Sequence, residues 1–258
     1  MHSRYKVFLT TLLFLASLIQ GCSTEAVVTE QPVIHQVAVT PAVTELASAW
    51  LTTYIKDTEL TGIDLRPLAN PYGQEAVEQG ETELLLCACL PPSGWFATPL
   101  AEDAAAVIVH PDNPLRDLTI ESIQDLFSGT IENWQDLDGA DEVVQVVLLL
   151  ENDELRSTFE AALPLDYTPP ASAILAPTPA AVVDMVRQTP GAVGYVPFSS
   201  IDEQTQQVRI VRISGVRPGP STLADRSYPM VMEILAIAPE EPIGPVREWL
   251  NWIQANTG

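Results

Sequence analysis

The chain has 258 residues, enough for one large domain or two small ones, and its 47% hydrophobic content supplies a core and excludes global disorder. It carries 12 basic and 34 acidic residues, a formal net charge of −22. Such a surface excludes nucleic acid and anionic membrane as electrostatic partners, and it suits an exported protein kept soluble by its charge.

The N-terminus reads as a targeting segment. Arg4 and Lys6 precede an apolar run at 7–19, a signal-peptide length that is too short for comfortable spanning. Ile19-Gln20-Gly21-Cys22 then reads as a bacterial lipobox. That resemblance implies cleavage before Cys22 and a diacylglycerol on its sulfur, a membrane anchor held by buried methylenes. Cleavage there removes Arg4 and Lys6 but no acid, so the mature chain is more acidic still. Residues 23–31 are polar and weakly patterned, a tether.

A strand is expected over 32–39. Thr40-Pro41 then opens a helix to about Ile55, with Thr40 as N-cap, Pro41 at the first helical position, and Leu46, Ala49, Trp50 and Tyr54 on one face. A second strand follows at 63–67, a turn at Asn70-Pro71-Tyr72-Gly73, and a short helix at 74–79 stopped by Gly80. The run LLLCACL at 84–90 reads as a buried strand. Its Cys87 and Cys89 share a face but sit too far apart along a strand for an easy disulfide, so two buried thiols are expected. With only His2, His35 and His110 elsewhere they make no zinc site, and no metal or cofactor is expected. Pro91-Pro92-Ser93-Gly94 breaks the chain before a continuous apolar strand at 104–110, and Pro111 and Pro114 bracket a bend.

The stretch 118–139, LTIESIQDLFSGTIENWQDLDG, is one amphipathic unit. Thr119 caps it, Ile120, Ile123, Leu126 and Phe127 form the stripe, Gly129 stops it, and a turn delivers a buried Trp134. Beyond it come a strand at 143–150, a helix at about 154–163, a Pro-rich link, a helix at 179–188 and strands at 192–196 and 208–213. A turn-rich connection at 215–227, a strand at 228–238 and a helix at 245–256 complete the chain. Strands alternating with helices predict α/β layers with largely parallel sheets.

Leu126-Phe127-Ser128-Gly129, Ile131, Asn133-Trp134 and Leu137-Asp138-Gly139 resemble a signature of the phosphate-type substrate-binding proteins of ABC transporters. AVIVHPDNP at 106–114, PGAVGYVP at 190–197 and the tail at 215–258 fall in that family's order. The resemblance covers about residue 33 to the end. It implies a two-lobed periplasmic-binding-protein type 2 fold, each lobe a mostly parallel sheet flanked by helices, with a cleft between. Lobe 1 would be discontinuous, 33–110 plus 229–258, and lobe 2 would be 111–228. It also implies a monomeric extracytoplasmic protein that binds a small solute or oxyanion, closes by a hinge and docks on an ABC permease. A sensor or protein-interaction module that keeps the fold is the alternative.

In open α/β sheets ligands sit at the carboxyl ends of strands beside helix N-termini, whose N–H groups hold anions without basic side chains. Three helix starts face one cleft on that family pattern: 40–43, 152–156 and 178–180. The expected ligand-binding residues are therefore Thr40, Pro41, Ala42, Tyr72, Gly73, Asn152, Asp153, Arg156 and Thr178. Trp95 is a second candidate cleft aromatic. The segment LLENDELRSTF at 149–159 departs from the family's R-x-D-G-S-G-T-R pattern. Leu149 takes its first Arg slot, Glu151 the Asp slot, Asn152 the first Gly slot, Asp153 the Ser slot, Glu154 the second Gly slot and Leu155 the Thr slot. Arg156 remains, read as solvated unless it turns inward. Carboxylates at this helix start repel phosphate by roughly several kcal/mol in a poorly solvated cleft. Three ligand readings stay open: another oxyanion held by backbone donors, a cationic or neutral polar solute accepted by Glu151, Asp153 and Glu154, or no ligand. No Ser/His/Asp or Cys/His set appears, and acidic neighbours such as Glu240–Glu241 are a solvated surface, so no enzyme is expected.

Overall fold

The computed structural model describes residues 33–58, 62–163, 167–202, 204 and 206–257. The expected signal segment, the lipobox with Cys22 and the whole of the tether at 23–31 therefore lie outside the described residues. Residues Ile34–Gly258 form one compact unit. Among the described residues no helix is long and apolar enough to cross a membrane.

The first elements are β1 (His35–Val39), α1 (Thr44–Thr58), β2 (Ile63–Pro67), α2 (Asn70–Glu78), β3 (Leu84–Cys87) and β4 (Phe96–Val109). Then come β5 (Asp117–Leu118), α3 (Ile120–Ser128), β6 (Gln145–Leu149), α4 (Glu154–Ala161), β7 (Ile174–Ala176), α5 (Pro179–Gln188) and β8 (Ala192–Pro197). The chain ends with β9 (Arg209–Ile210), β10 (Arg212–Ile213), α6 (Pro220–Ala224), β11 (Val231–Ala238) and α7 (Gly244–Asn256).

Nearly all the strands join one curled mixed sheet, in the order β2-β1-β3-β11-β4-β8-β6-β7 with β9 beside β4, while β5 and β10 pair separately. β4 is its spine. The first part of β4 pairs antiparallel with β11 from Phe96 to Ala104, and the last part pairs antiparallel with β8 from Ala105 to Val109. On the first side β1 runs parallel to β2 and β3. On the second, β6 runs parallel to β7 and β8. A register shift at Ile234/Leu235 leaves Leu100 without a partner beside Pro99, which is how the ladder accommodates a residue lacking an N–H. The predicted strand at 104–110 is thus the buried end of a longer one, whose half-exposed first residues carry no continuous apolar run.

The runs Leu84–Cys87, Ala104–Val109 and Ala192–Val196 are buried throughout, as central strands covered on both faces must be. α3 forms as its sequence dictates. The Thr119 side chain accepts from Ser122 N, Gly129 ends the helix at φ 77°, and Ile123, Leu126 and Phe127 are buried. Trp134 is buried and its indole N–H donates to Gly191 O at 2.9 Å. Gly191 admits no side chain, since a Cβ there would lie 2.0 Å from Val143 O. Phe159 stacks on Tyr195 at 4.0 Å between centroids, with Phe127 4.6 Å from Phe159.

Three local expectations are corrected. The residues Asn70–Gly73 are not a turn but the first turn of α2, with Pro71 at a position where its missing N–H costs nothing. α1 begins at Thr44, a turn later than expected, because 41–43 form a separate turn closed by Val43 N to Thr40 O at 3.0 Å. Cys87 and Cys89 are not thiols. They form a disulfide at a Cα–Cα distance of 5.3 Å. The strand ends at Cys87, so the chain bends at Ala88 and brings the two sulfurs closer than an extended i, i+2 pair allows.

Candidate functional site

The carboxyl ends of β1, β3, β6 and β7 deliver the next residues to one region. Thr40 follows β1, with its amide on Leu86 O at 3.0 Å. Ala88 follows β3, and Leu150 to Asp153 lead from β6 into α4. Pro177 and Thr178 follow β7. Thr40, Leu150 to Asp153 and Pro177, with Ala69 and Asn70 beyond β2, enclose a cleft of about 190 Å³. Thr40, Pro41 and Ala42 form one wall, Asn70 and Tyr72 a second, and Asn152, Asp153 and Glu154 a third. An adjoining cleft of about 480 Å³ shares Pro41 and Ala42 and is lined by Thr178, Pro179 and Ala180.

Six of the expected ligand-binding residues thus line the smaller cleft: Thr40, Pro41, Ala42, Tyr72, Asn152 and Asp153. Thr178 lines its neighbour, and its hydroxyl caps α5 by accepting from Ala181 N at 3.2 Å. Gly73 and Arg156 are placed elsewhere. Gly73 is buried against Leu85, with space for no Cβ. Arg156 is only 6% exposed, so it is not the solvated arginine expected. Its guanidinium donates to Leu149 O at 2.9 Å and to Glu160 at 2.7 Å, which ties α4 to the end of β6. Trp95 packs against the core.

The polar chemistry differs from the expected pattern of open helix starts. Asp153 caps α4 by accepting from Leu155 N at 2.9 Å and Arg156 N at 3.4 Å, which uses the donors an anion would take. Burial raises the Asp153 carboxyl above its ordinary range. Thr40 caps nothing; its hydroxyl, 1% exposed, donates to Glu154 Oε2 at 2.8 Å. Ala88 N–H donates to the same oxygen at 2.9 Å. Glu154 Oε1 is buried with no hydrogen-bond partner among the described residues. Burial pushes Glu154 up to about 7, against the two hydrogen bonds that lower it and with Asp153 raising it further. Glu154 is the cleft residue that sequence reasoning placed least well. Nothing local marks it as buried, since its partners are 114 and 66 residues away.

A carboxylate oxygen of Glu154 and the sulfurs of Cys87 and Cys89 lie within 4.8 Å of one another. With the sulfurs bonded together, the set offers one carboxylate, short of the three or four ligands a metal centre needs. A separate groove of about 600 Å³ is lined by Arg116, Arg209, Arg212 and Arg217 together with Asp112. Arg209 donates to Pro111 O there, and its guanidinium is lowered by burial and by Arg116. A second buried carboxylate, Asp103 in β4, accepts from Ser199 and Ala104 N and is raised by burial.

Residues 26–257 match the family model of a PBP superfamily domain. The chain is 29% identical over 150 residues to the phosphate-binding protein PstS of Bacillus subtilis, covering 58% of this chain and 49% of that one. It is 27% identical over 186 residues to PstS of Pseudomonas aeruginosa, covering 63% and 56%. It therefore spans about half the length of the curated relatives it matches. A Clostridium perfringens structure, assigned as a phosphate ABC transporter substrate-binding protein with bound phosphate, superposes at a TM-score of 0.76. It is 22% identical, and the match covers 85% of this chain and 92% of that one. An ABC-type phosphate transport receptor from Vibrio cholerae superposes at 0.66 with 17% identity, covering 86% and 94%. The order of the sheet, the family match and these likenesses agree: the chain belongs to the PBP superfamily and has the type 2 periplasmic-binding-protein fold.

Proposed function

We propose that this chain is the extracytoplasmic solute-binding component of an ABC importer, a lipoprotein held to the membrane through Cys22 that hands its solute to a permease. It works by binding alone, with no covalent chemistry. The observation that carries this reading is one cleft walled by residues that follow β1, β2, β6 and β7, with Thr40, Asn70, Tyr72, Asn152 and Glu154 around it. Strand ends in open α/β sheets are where such ligands bind. The lobes are 33–110 plus 229–258 and 111–228. The hinge lies where those lobes join, just past the end of β4 and at the approach to β11. Relatives named for phosphate binding make an oxyanion the first solute to test, and the acidic cleft makes a cation the second.

Calorimetric titration of the full-length chain with phosphate, sulfate, molybdate and polyamines tests the reading. The expected result is micromolar binding of one solute, about −8 kcal/mol, lost when Asn152 and Tyr72 are replaced by Ala. Silence with every solute would remove the receptor function.

A further inference from the structure

The two oxygens of the Glu154 carboxylate are used unequally. Oε2 accepts two hydrogen bonds, from the Thr40 hydroxyl at 2.8 Å and the Ala88 amide at 2.9 Å. Oε1 is buried and accepts none among the described residues. The residue is 8% exposed and lines the cleft. Both donors stand at carboxyl ends of parallel strands, β1 and β3, where an anion would find them. The Ala88 amide is held between two bonded cysteines, which limits its freedom to turn away. A hydroxyl and a fixed N–H directed at one point make an oxyanion seat, and here a side chain of the protein sits in it. As a purely structural device this is poor, because an idle buried carboxylate oxygen is unfavourable.

Resting on the receptor reading above, we propose that Glu154 is a tethered acceptor filling the anion seat of its own cleft, so that the ligand is a small ammonium cation. Oε1, sealed from solvent as it stands, becomes the acceptor for an N–H of that ligand when the cleft opens. Three further observations fit an ammonium. Asp153, Asn152 and the aromatic Tyr72, 66% exposed, line the same cleft. The chain as a whole carries net charge −22, which concentrates cations at its surface. The cleft of about 190 Å³ has room for a small amine such as a four-carbon diamine.

Titration calorimetry of the full-length chain with putrescine and with inorganic phosphate, on wild type, Glu154→Gln and Glu154→Ala, tests this. Wild type is expected to bind putrescine at least about 100-fold more tightly than phosphate. Glu154→Gln keeps the shape and is expected to lose about tenfold in putrescine affinity. Glu154→Ala frees both donors and removes the like charge, so its phosphate affinity is expected to rise about 100-fold. Adding Thr40→Val to that variant is expected to reverse the gain. Tighter binding of phosphate than of putrescine by wild type would overturn the proposal and leave the receptor reading intact. So would a folded Glu154→Ala chain with no gain for phosphate, or, should Glu154→Ala not fold, an unchanged putrescine affinity in Glu154→Gln. Silence of all three proteins with both titrants would overturn it as well. The receptor reading would then stand or fall on sulfate and molybdate.

Discussion

Replacing Glu154 by Gln should flatten the pH dependence of folding stability. In the unfolded chain a glutamate titrates near its ordinary 4.5, and in the folded cleft Glu154 titrates near 7. Between those values the folded protein holds a proton that the unfolded chain releases, so stability falls as pH rises through the window. Each unit is worth about 1.4 kcal/mol, so this one group removes about 3 kcal/mol between pH 4.5 and pH 7, with no further loss above. The figure needs no discount for solvent screening because the residue is 8% exposed. Asp103 is raised by burial and acts in the same direction, but it is present in both proteins and cancels in the comparison, whereas Asp153, which repels Glu154, is relieved in the variant and adds to the difference. The assay is urea unfolding of wild type and Glu154→Gln at a series of pH values from 4.5 to 8. The expected result is a wild-type stability that drops across this range by about 3 kcal/mol more than the variant's does. Parallel curves would show that Glu154 is not buried as a titrating group, and the reasoning about the cleft would fail with them.

Three structural predictions accompany this one. Arg156→Met should lower unfolding free energy by about 3 kcal/mol in urea titrations, since it strips a buried donor from Leu149 O and leaves Glu160 without its partner. Gly191→Ala should cost a similar amount, about 3 kcal/mol, because the new Cβ meets Val143 O and the shift that relieves it moves residue 191's own carbonyl away from the Trp134 indole N–H. Thr178→Ala removes only an exposed helix cap and should cost about 1 kcal/mol, a fall of about 3 °C in melting temperature by calorimetry.

What the sequence discloses and what it withholds divide along a physical line. Local signals were legible: the cap at Thr119 with its αL stop at Gly129, the Thr178-Pro179 helix start, and the buried runs of β3 and β8 all rest on neighbours in the chain. Strand ends and helix starts are local features too, and six of the residues named from them share one cleft. Features that depend on distant partners were not. Thr40 looks like a cap in sequence, yet a carboxylate 114 residues away takes its hydroxyl. Arg156 looks solvated in a first turn, yet Leu149 O and Glu160 bury it. The Cys87–Cys89 bond depended on where β3 ends, and an unbroken apolar run from Leu84 to Cys89 conceals that end. The early part of β4 was missed because its pairing with β11 spans more than a hundred residues and its outward residues break the apolar pattern.

The most direct test of the central claim is a crystal structure of the Glu154→Ala chain grown with phosphate. An oxyanion in the seat vacated by the carboxylate, within hydrogen-bond reach of Thr40 Oγ and Ala88 N, is the expected result. Phosphate bound instead in the groove of Arg116, Arg209 and Arg212, with Thr40 and Ala88 left to other partners, would contradict it.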